Sequence, residues 1–228
     1  MLRHLLLSFA MMTVLLACST GSPPDTGGAA RSASAVAHKA EPVHDPRPVI
    51  LAFGDSLTAG HGIELVHSYP SQLQKELDRL GYKYRVVNAG VSGDTTSGGL
   101  SRIDAALDGR PQIVILELGA NDGLRGIPVA EAKHNLEVMV EKSKKAGATV
   151  LLAGMTLPLN YGPDYIHDFE RMYVDLAKAQ NVILIPFFLE GVAGRPDFNL
   201  EDGIHPTGKG YTVVTQNILR YLEPHLSK

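Results

Sequence analysis

Ser56, Asn121 and the Asp202/His205 pair are residues of this chain whose types and spacing could do chemistry. A serine hydroxyl is a weak nucleophile until a neighbouring base takes its proton. His205 suits that work because imidazole changes charge near neutral pH, so it can accept the serine proton and later return it to a leaving group. Asp202, three residues earlier, can fix one imidazole tautomer and stabilise the imidazolium. The side-chain amide of Asn121 can donate hydrogen bonds without titrating. The backbone N–H of Gly93 is open to close approach because glycine has no side chain. Nucleophile, base, orienting carboxylate and oxyanion donors together are the equipment for acyl transfer. Each residue also has a plainer reading: Ser56 satisfying a loop amide, Gly93 and Asn121 as turn or cap residues, Asp202 as a helix cap beside a surface histidine. The combination is what favours the chemical reading.

Elements that could bring these residues together are visible in the hydrophobic pattern. Three apolar, strand-like runs each end in a polar loop containing glycine. Val49 to Phe53 leads into Gly54-Asp55-Ser56-Leu57, Val86 to Asn88 into Gly90-Val91-Ser92-Gly93-Asp94, and Ile113 to Leu116 into Gly119-Ala120-Asn121-Asp122. In an open parallel sheet the carboxyl ends of the strands share one edge, and ligands bind in the crevice there. Along the chain the pattern predicts strands over 49–53, 84–88, 112–118, 149–154 and 182–186. They alternate with helices over 68–80, 97–107, 129–146, 165–179 and 207–222. Such alternation argues for an α/β fold with a parallel sheet covered on both faces. Gly81 and Gly147 stand where helix C-terminal caps belong, and Pro128 suits a helix start. Asp55 and Asp122 read as acceptors that fix their loops.

The strings Phe53-Gly54-Asp55-Ser56-Leu57-Thr58-Ala59-Gly60, Asn88 to Gly99, Leu118-Gly119-Ala120-Asn121-Asp122-Gly123-Leu124-Arg125-Gly126 and Asp202-Gly203-Ile204-His205-Pro206 follow one another in this order. Together they resemble the SGNH hydrolases, also called GDSL esterases, and within them the bacterial multifunctional thioesterase, lysophospholipase and arylesterase subgroup. The resemblance spans Val49 to His205. It implies a flavodoxin-like three-layer α/β/α fold with five parallel strands in the order 2-1-3-4-5. It also implies a catalytic triad of Ser56, Asp202 and His205, and an oxyanion hole made by the backbone amides of Ser56 and Gly93 with the side chain of Asn121. Position 58 is threonine, so this is not the Gly-x-Ser-x-Gly elbow of α/β-hydrolases.

The remaining sequence bounds where and on what such a site would act. The chain has 228 residues, 44% hydrophobic and 20% charged, with a net charge of -3. This allows one folded domain over 48–228 and gives no basic stripe for nucleic acid. Arg3, the apolar stretch from Leu5 to Leu16 and then Ala17-Cys18 read as a signal peptide over 1–17, too short to span a bilayer comfortably. Cys18 is the only cysteine and sits where a bacterial lipoprotein is lipidated; the alternative is ordinary signal cleavage after Ala17. Residues 18–47, rich in Gly, Ala, Ser and Pro, read as a flexible tether with a reach of roughly 30 Å. The expected protein is therefore an exported, periplasmic or cell-envelope lipoprotein, with outer-membrane delivery permitted by Ser19, held to the membrane by Cys18 and otherwise monomeric. With no metal-ligand spacing in the sequence, the Ser56 route calls for neither metal nor cofactor.

Leu157, Pro158 and Tyr161 follow the fourth strand at the catalytic edge. By the same resemblance they line an acyl pocket, with Ile63, Leu65, Phe187 and Phe188 as further apolar candidates. The expected activity is hydrolysis of acyl or aryl esters, and of thioesters, through an acyl-enzyme. A carbohydrate or cell-wall O-acetylesterase is the alternative within enzymes. A non-catalytic ligand-binding lipoprotein would show a missing triad member, and none is missing.

Overall fold

The computed structural model describes residues 45–228; the expectations for the signal peptide, Cys18 and nearly all of the tether fall outside them. Five parallel strands, β1 (Val49–Gly54), β2 (Arg85–Gly90), β3 (Ile113–Glu117), β4 (Thr149–Ala153) and β5 (Ile183–Ile185), form one sheet in the order β2-β1-β3-β4-β5. This is the predicted fold. Its central strands are buried on both faces, from Ile50 to Phe53 and from Ile113 to Leu116, which is why they read as unbroken apolar runs rather than alternating ones. Helices α2 (Tyr69–Leu80) and α7 (Gly208–Leu222) pack together in one layer, and α3 (Thr96–Leu107), α5 (Val129–Lys145) and α6 (Pro163–Gln180) pack in sequence in the other.

The register decides where the loops emerge. Gly54, the last residue of β1, lies opposite Gly90 on one side and Glu117 on the other, so the first three strands end level with one another. A Cβ at Gly90 would land on the backbone of Ala59, so only glycine lets the end of β2 approach the turn that follows β1. Two one-turn helices, α1 (Ser56–Ala59) and α4 (Ala120–Leu124), open the first and third loops; the sequence pattern treated both segments as loop. A single turn has no apolar period to detect, and glycine, asparagine and aspartate suggest a turn in any case. Helix α6 begins at Pro163, two residues before the predicted start, with proline in the first turn where a missing N–H costs nothing.

Candidate active site

Asp55 caps α1, its carboxylate accepting from the Leu57 N–H at 3.0 Å, and so turns the chain sharply enough to put Ser56 first in the helix. Ser56 Oγ is 2.9 Å from His205 Nε2, and His205 Nδ1 is 2.7 Å from Asp202 Oδ2. The other oxygen of Asp202 accepts from the backbone N–H groups of Ile204 and His205, each at 3.0 Å. The Asp-x-x-His spacing thus closes a tight turn in which one carboxylate holds both the main chain and the imidazole. Burial works to raise the Asp202 pKa, but the His205 N–H, the imidazole and the Ile204 N–H outweigh it and bring the group down to about 2. The carboxylate is therefore ionised throughout the neutral range. Thr207 then caps α7 through the Gly210 N–H, anchoring the turn to a long buried helix.

The second loop is positioned from both sides. Arg102 on α3 donates to Asp94 at 2.6 Å, to the Ala89 carbonyl at 2.8 Å and to the Gly54 carbonyl at 2.8 Å, while its guanidinium lies 3.9 Å from the Phe53 ring centroid. Arg125 holds the Gly93 carbonyl at 2.9 Å. Gly93 has φ +85, the left-handed region that favours glycine, and a Cβ there would meet no neighbour within 4 Å. Glycine is needed for the backbone conformation, not to avoid a neighbour. Neither the Ser56 nor the Gly93 N–H donates to a protein acceptor among the described residues. Asn121 differs: its amide donates to Asp55 Oδ2 at 3.0 Å and to the Asp94 carbonyl at 2.9 Å, so both of its hydrogens have partners. Asp122 accepts from the Thr96 N–H at 2.8 Å and the Thr96 hydroxyl at 2.6 Å, joining the third loop to the start of α3.

Beneath the nucleophile turn lies a buried acid that the sequence reading passed over. Glu117 Oε2 accepts from the Thr58 hydroxyl at 2.7 Å. Its Oε1 and the Tyr211 hydroxyl are buried without a protein partner among the described residues. Burial, then the neighbouring Asp55 carboxyl, push Glu117 well above the ordinary carboxylate range. Burial also raises Asp55 to about 6 against the pull of its hydrogen bond from Leu57. The signal was present in the sequence as one acid inside the run Ile113-Val114-Ile115-Leu116-Glu117-Leu118.

A cavity of about 520 Å³ opens over the Ser56 hydroxyl, walled by Leu124, Met155, Leu157, Pro158, Phe187, Leu189 and Ile204, with His61, Gly93 and Asn121 near the reacting groups. Leu157 and Pro158 stand where the sequence reading expected them. Tyr161 does not line the cavity: its hydroxyl donates to the Leu124 carbonyl at 2.8 Å, bracing that wall from behind. Phe188, expected beside Phe187, is fully buried and packs edge-on against Tyr69 at 5.4 Å, because the chain turns after β5 and carries its ring into the core rather than the cavity. Ile63 and Leu65 are not among the lining residues either, and Leu65 is 65% exposed. A larger, more open groove of about 720 Å³ along α2 and α7 contains none of these reacting groups. Among the described residues no three His, Cys, Asp or Glu side chains are placed to hold a metal ion.

Residues 52–213 match the GDSL-like Lipase/Acylhydrolase family. The chain is 45% identical to esterase TesA of Pseudomonas aeruginosa over 178 residues, which cover 78% of this chain and 89% of that one. It is 38% identical to the thioesterase 1/protease 1/lysophospholipase L1 of Escherichia coli K12 over 176 residues, 77% of this chain and 83% of that one. Among solved structures, the psychrotrophic esterase EstA from Pseudoalteromonas, inhibited by monoethylphosphonate, superposes with a TM-score of 0.74 at 34% identity, covering 78% of this chain and 97% of its own. A family match that runs from β1 into α7, joined to relatives this similar along most of their length, means that the chain belongs to the GDSL-like lipase/acylhydrolase family and is a serine ester hydrolase.

Proposed function

We propose that Ser56, His205 and Asp202 hydrolyse carboxylic esters with an apolar acyl or aryl group, and thioesters of the same acids. The observation that carries this reading is the unbroken relay from Asp202 through His205 to Ser56, at 2.7 and 2.9 Å, opening into an apolar cavity. Ser56 Oγ attacks the carbonyl carbon while its proton passes to His205 Nε2. The backbone N–H groups of Ser56 and Gly93 receive the developing oxyanion, joined by Asn121 when one of its amide hydrogens leaves its resting partner. Collapse breaks the bond to the leaving alcohol or thiol, which takes the proton from His205. Water then attacks the acyl-enzyme as it gives a proton to the same nitrogen, and collapse breaks the bond to Ser56 Oγ, which takes that proton back from His205 as the acid is released. Asp202 remains ionised throughout, balancing the imidazolium. The names of the relatives, an esterase and a thioesterase/lysophospholipase, favour this substrate class. So do Leu157, Pro158 and Phe187 on the cavity wall, which suit a hydrocarbon better than a sugar.

Hydrolysis of 4-nitrophenyl esters with acyl chains from acetyl to palmitoyl tests the reading. Turnover is expected to peak at medium or long chains and to fall at least about a thousandfold in Ser56→Ala. A maximum at acetyl would replace this reading with deacetylation. Failure of Ser56 to react with a fluorophosphonate, in protein that turns nothing over, would overturn the esterase chemistry.

We also infer that the protein is exported and lipidated at Cys18, acting as a monomer at the cell envelope; the support is the order of charged, apolar and small residues before that single cysteine. Membrane fractionation tests it. Cys18→Ala is expected to move the protein to the soluble fraction, and retention equal to wild type would overturn the assignment.

A further inference from the structure

The cavity holds a second imidazole that the mechanism above does not use. His61 follows Gly60, whose φ of +79 ends α1, and its backbone N–H donates to the Ser56 carbonyl at 3.0 Å. The nucleophile and His61 are therefore held by the same turn. The His61 ring lines the cavity with its centroid 4.6 Å from that of His205, the two planes inclined at 43°. Neither ring nitrogen of His61 makes a hydrogen bond among the described residues, so the contact with His205 is a ring-to-ring one. Asp202 and Ser56 hold His205 at its two ring nitrogens, and rotation of the imidazole about the line between them is what a neighbouring ring on one side would limit.

We propose that His61 is a positioning residue for the catalytic base, a wall against which the His205 ring lies in the aimed orientation, and that its own protonation turns the wall into a like charge opposing the imidazolium. This rests on the reading of His205 as the base. While His61 is neutral, it sets no charge against the one that His205 acquires as Ser56 attacks. When His61 carries a proton, two cations would stand 4.6 Å apart at the moment of proton transfer. The other charged groups around the pair cannot cancel this selectively. Asp202 is bonded to His205, Asp55 is buried under Ser56 and bonded to Asn121, Asp94 is paired with Arg102, and Arg125, just past α4, is tied to the Gly93 carbonyl. Glu64 and Glu201, in the loops carrying His61 and Asp202, are exposed to solvent.

Two variants of this exposed residue separate the wall from the charge. His61→Phe keeps a ring without a titratable group. With each pH profile of kcat/KM scaled to its own high-pH plateau, the acid limb of His61→Phe should fall less steeply than that of wild type, one ionisation having been removed. The NMR titration of the His205 ring should shift upward by roughly 0.7 pH units in His61→Phe, the size expected for removing a like charge at this distance in water. His61→Ala removes the wall, and kcat at pH 8 is expected to drop about tenfold with KM little changed. A His61→Phe enzyme with the wild-type pH profile and the wild-type His205 titration would overturn the charge role. An unchanged kcat in His61→Ala would overturn the wall. Both outcomes are distinct from failure of the triad reading, which Ser56→Ala reports by remaining active.

Discussion

At the scale of single residues, the site's least settled member is Asn121. Of the three proposed oxyanion donors, the Ser56 and Gly93 N–H groups have no protein acceptor among the described residues, but the Asn121 amide is bonded to the Asp55 carboxyl and the Asp94 carbonyl. The reacting carbonyl must therefore win a hydrogen from one of them, and the net gain from Asn121 is a difference between two hydrogen bonds rather than one new bond. Asn121→Ala is expected to reduce kcat by about a hundredfold, the lower end for loss of an oxyanion donor, with a smaller effect on KM; steady-state kinetics on one chromogenic ester would measure both. Asp202 leads to a prediction of a different kind. Because its carboxylate is already ionised above about pH 2, a loss of activity between pH 7 and pH 5 does not come from this aspartate, whereas Asp55, raised to about 6 by burial and bonded to Asn121, takes up a proton in that window. Asp202→Asn should lower kcat by 10²- to 10⁴-fold (order of magnitude) across that whole range, since the tautomer is lost at every pH.

At the scale of elements, the turn between β1 and α1 rests on carboxyls held away from water. Glu117 lies at the end of β3, its pKa raised by burial and by Asp55, so the folded protein keeps a proton that the unfolded chain releases near pH 4.5. Between those two values the native state binds more protons than the unfolded state, and stability must fall as pH rises. Glu117→Gln, which preserves shape and removes the ionisation, should therefore gain thermal stability over wild type at pH 8 relative to pH 5. Unfolding curves at the two values check the sign, and a difference that shrinks with pH would contradict it. The strands of this fold were legible because burial on both faces of β1 and β3 leaves an unmistakable apolar run, and the candidate residues Ser56, Gly93, Asn121, Asp202 and His205 could be named because each stands shortly after a strand or before α7. The one-turn helices α1 and α4 were not legible, since they are created by caps and tertiary hydrogen bonds rather than by periodicity. Tyr161 misled for a related reason: an aromatic residue in a pocket loop can face the ligand or brace the wall, and only the position of the Leu124 carbonyl decides. His61 gave no sequence signal at all, because ring packing between residues so far apart along the chain has no local pattern.

At the scale of the whole molecule, the parallel sheet divides the domain into two unlike ends. Every loop that carries a reacting group leaves the carboxyl edge, while the opposite edge carries connections such as Asp108, exposed between α3 and β3. The chain's single cysteine is Cys18, so residues 45–228 contain no thiol. A cysteine introduced at Asp108 would be a unique chemical handle on the face away from the cavity, and one at Ile204 a handle on its rim. Coupled to a maleimide-bearing solid support, Asp108→Cys should keep most of the solution activity and Ile204→Cys should lose most of it; equal losses would contradict the separation of the two ends. For biocatalysis this polarity allows the domain to be immobilised in a chosen orientation, with its substrate mouth presented to the flowing phase.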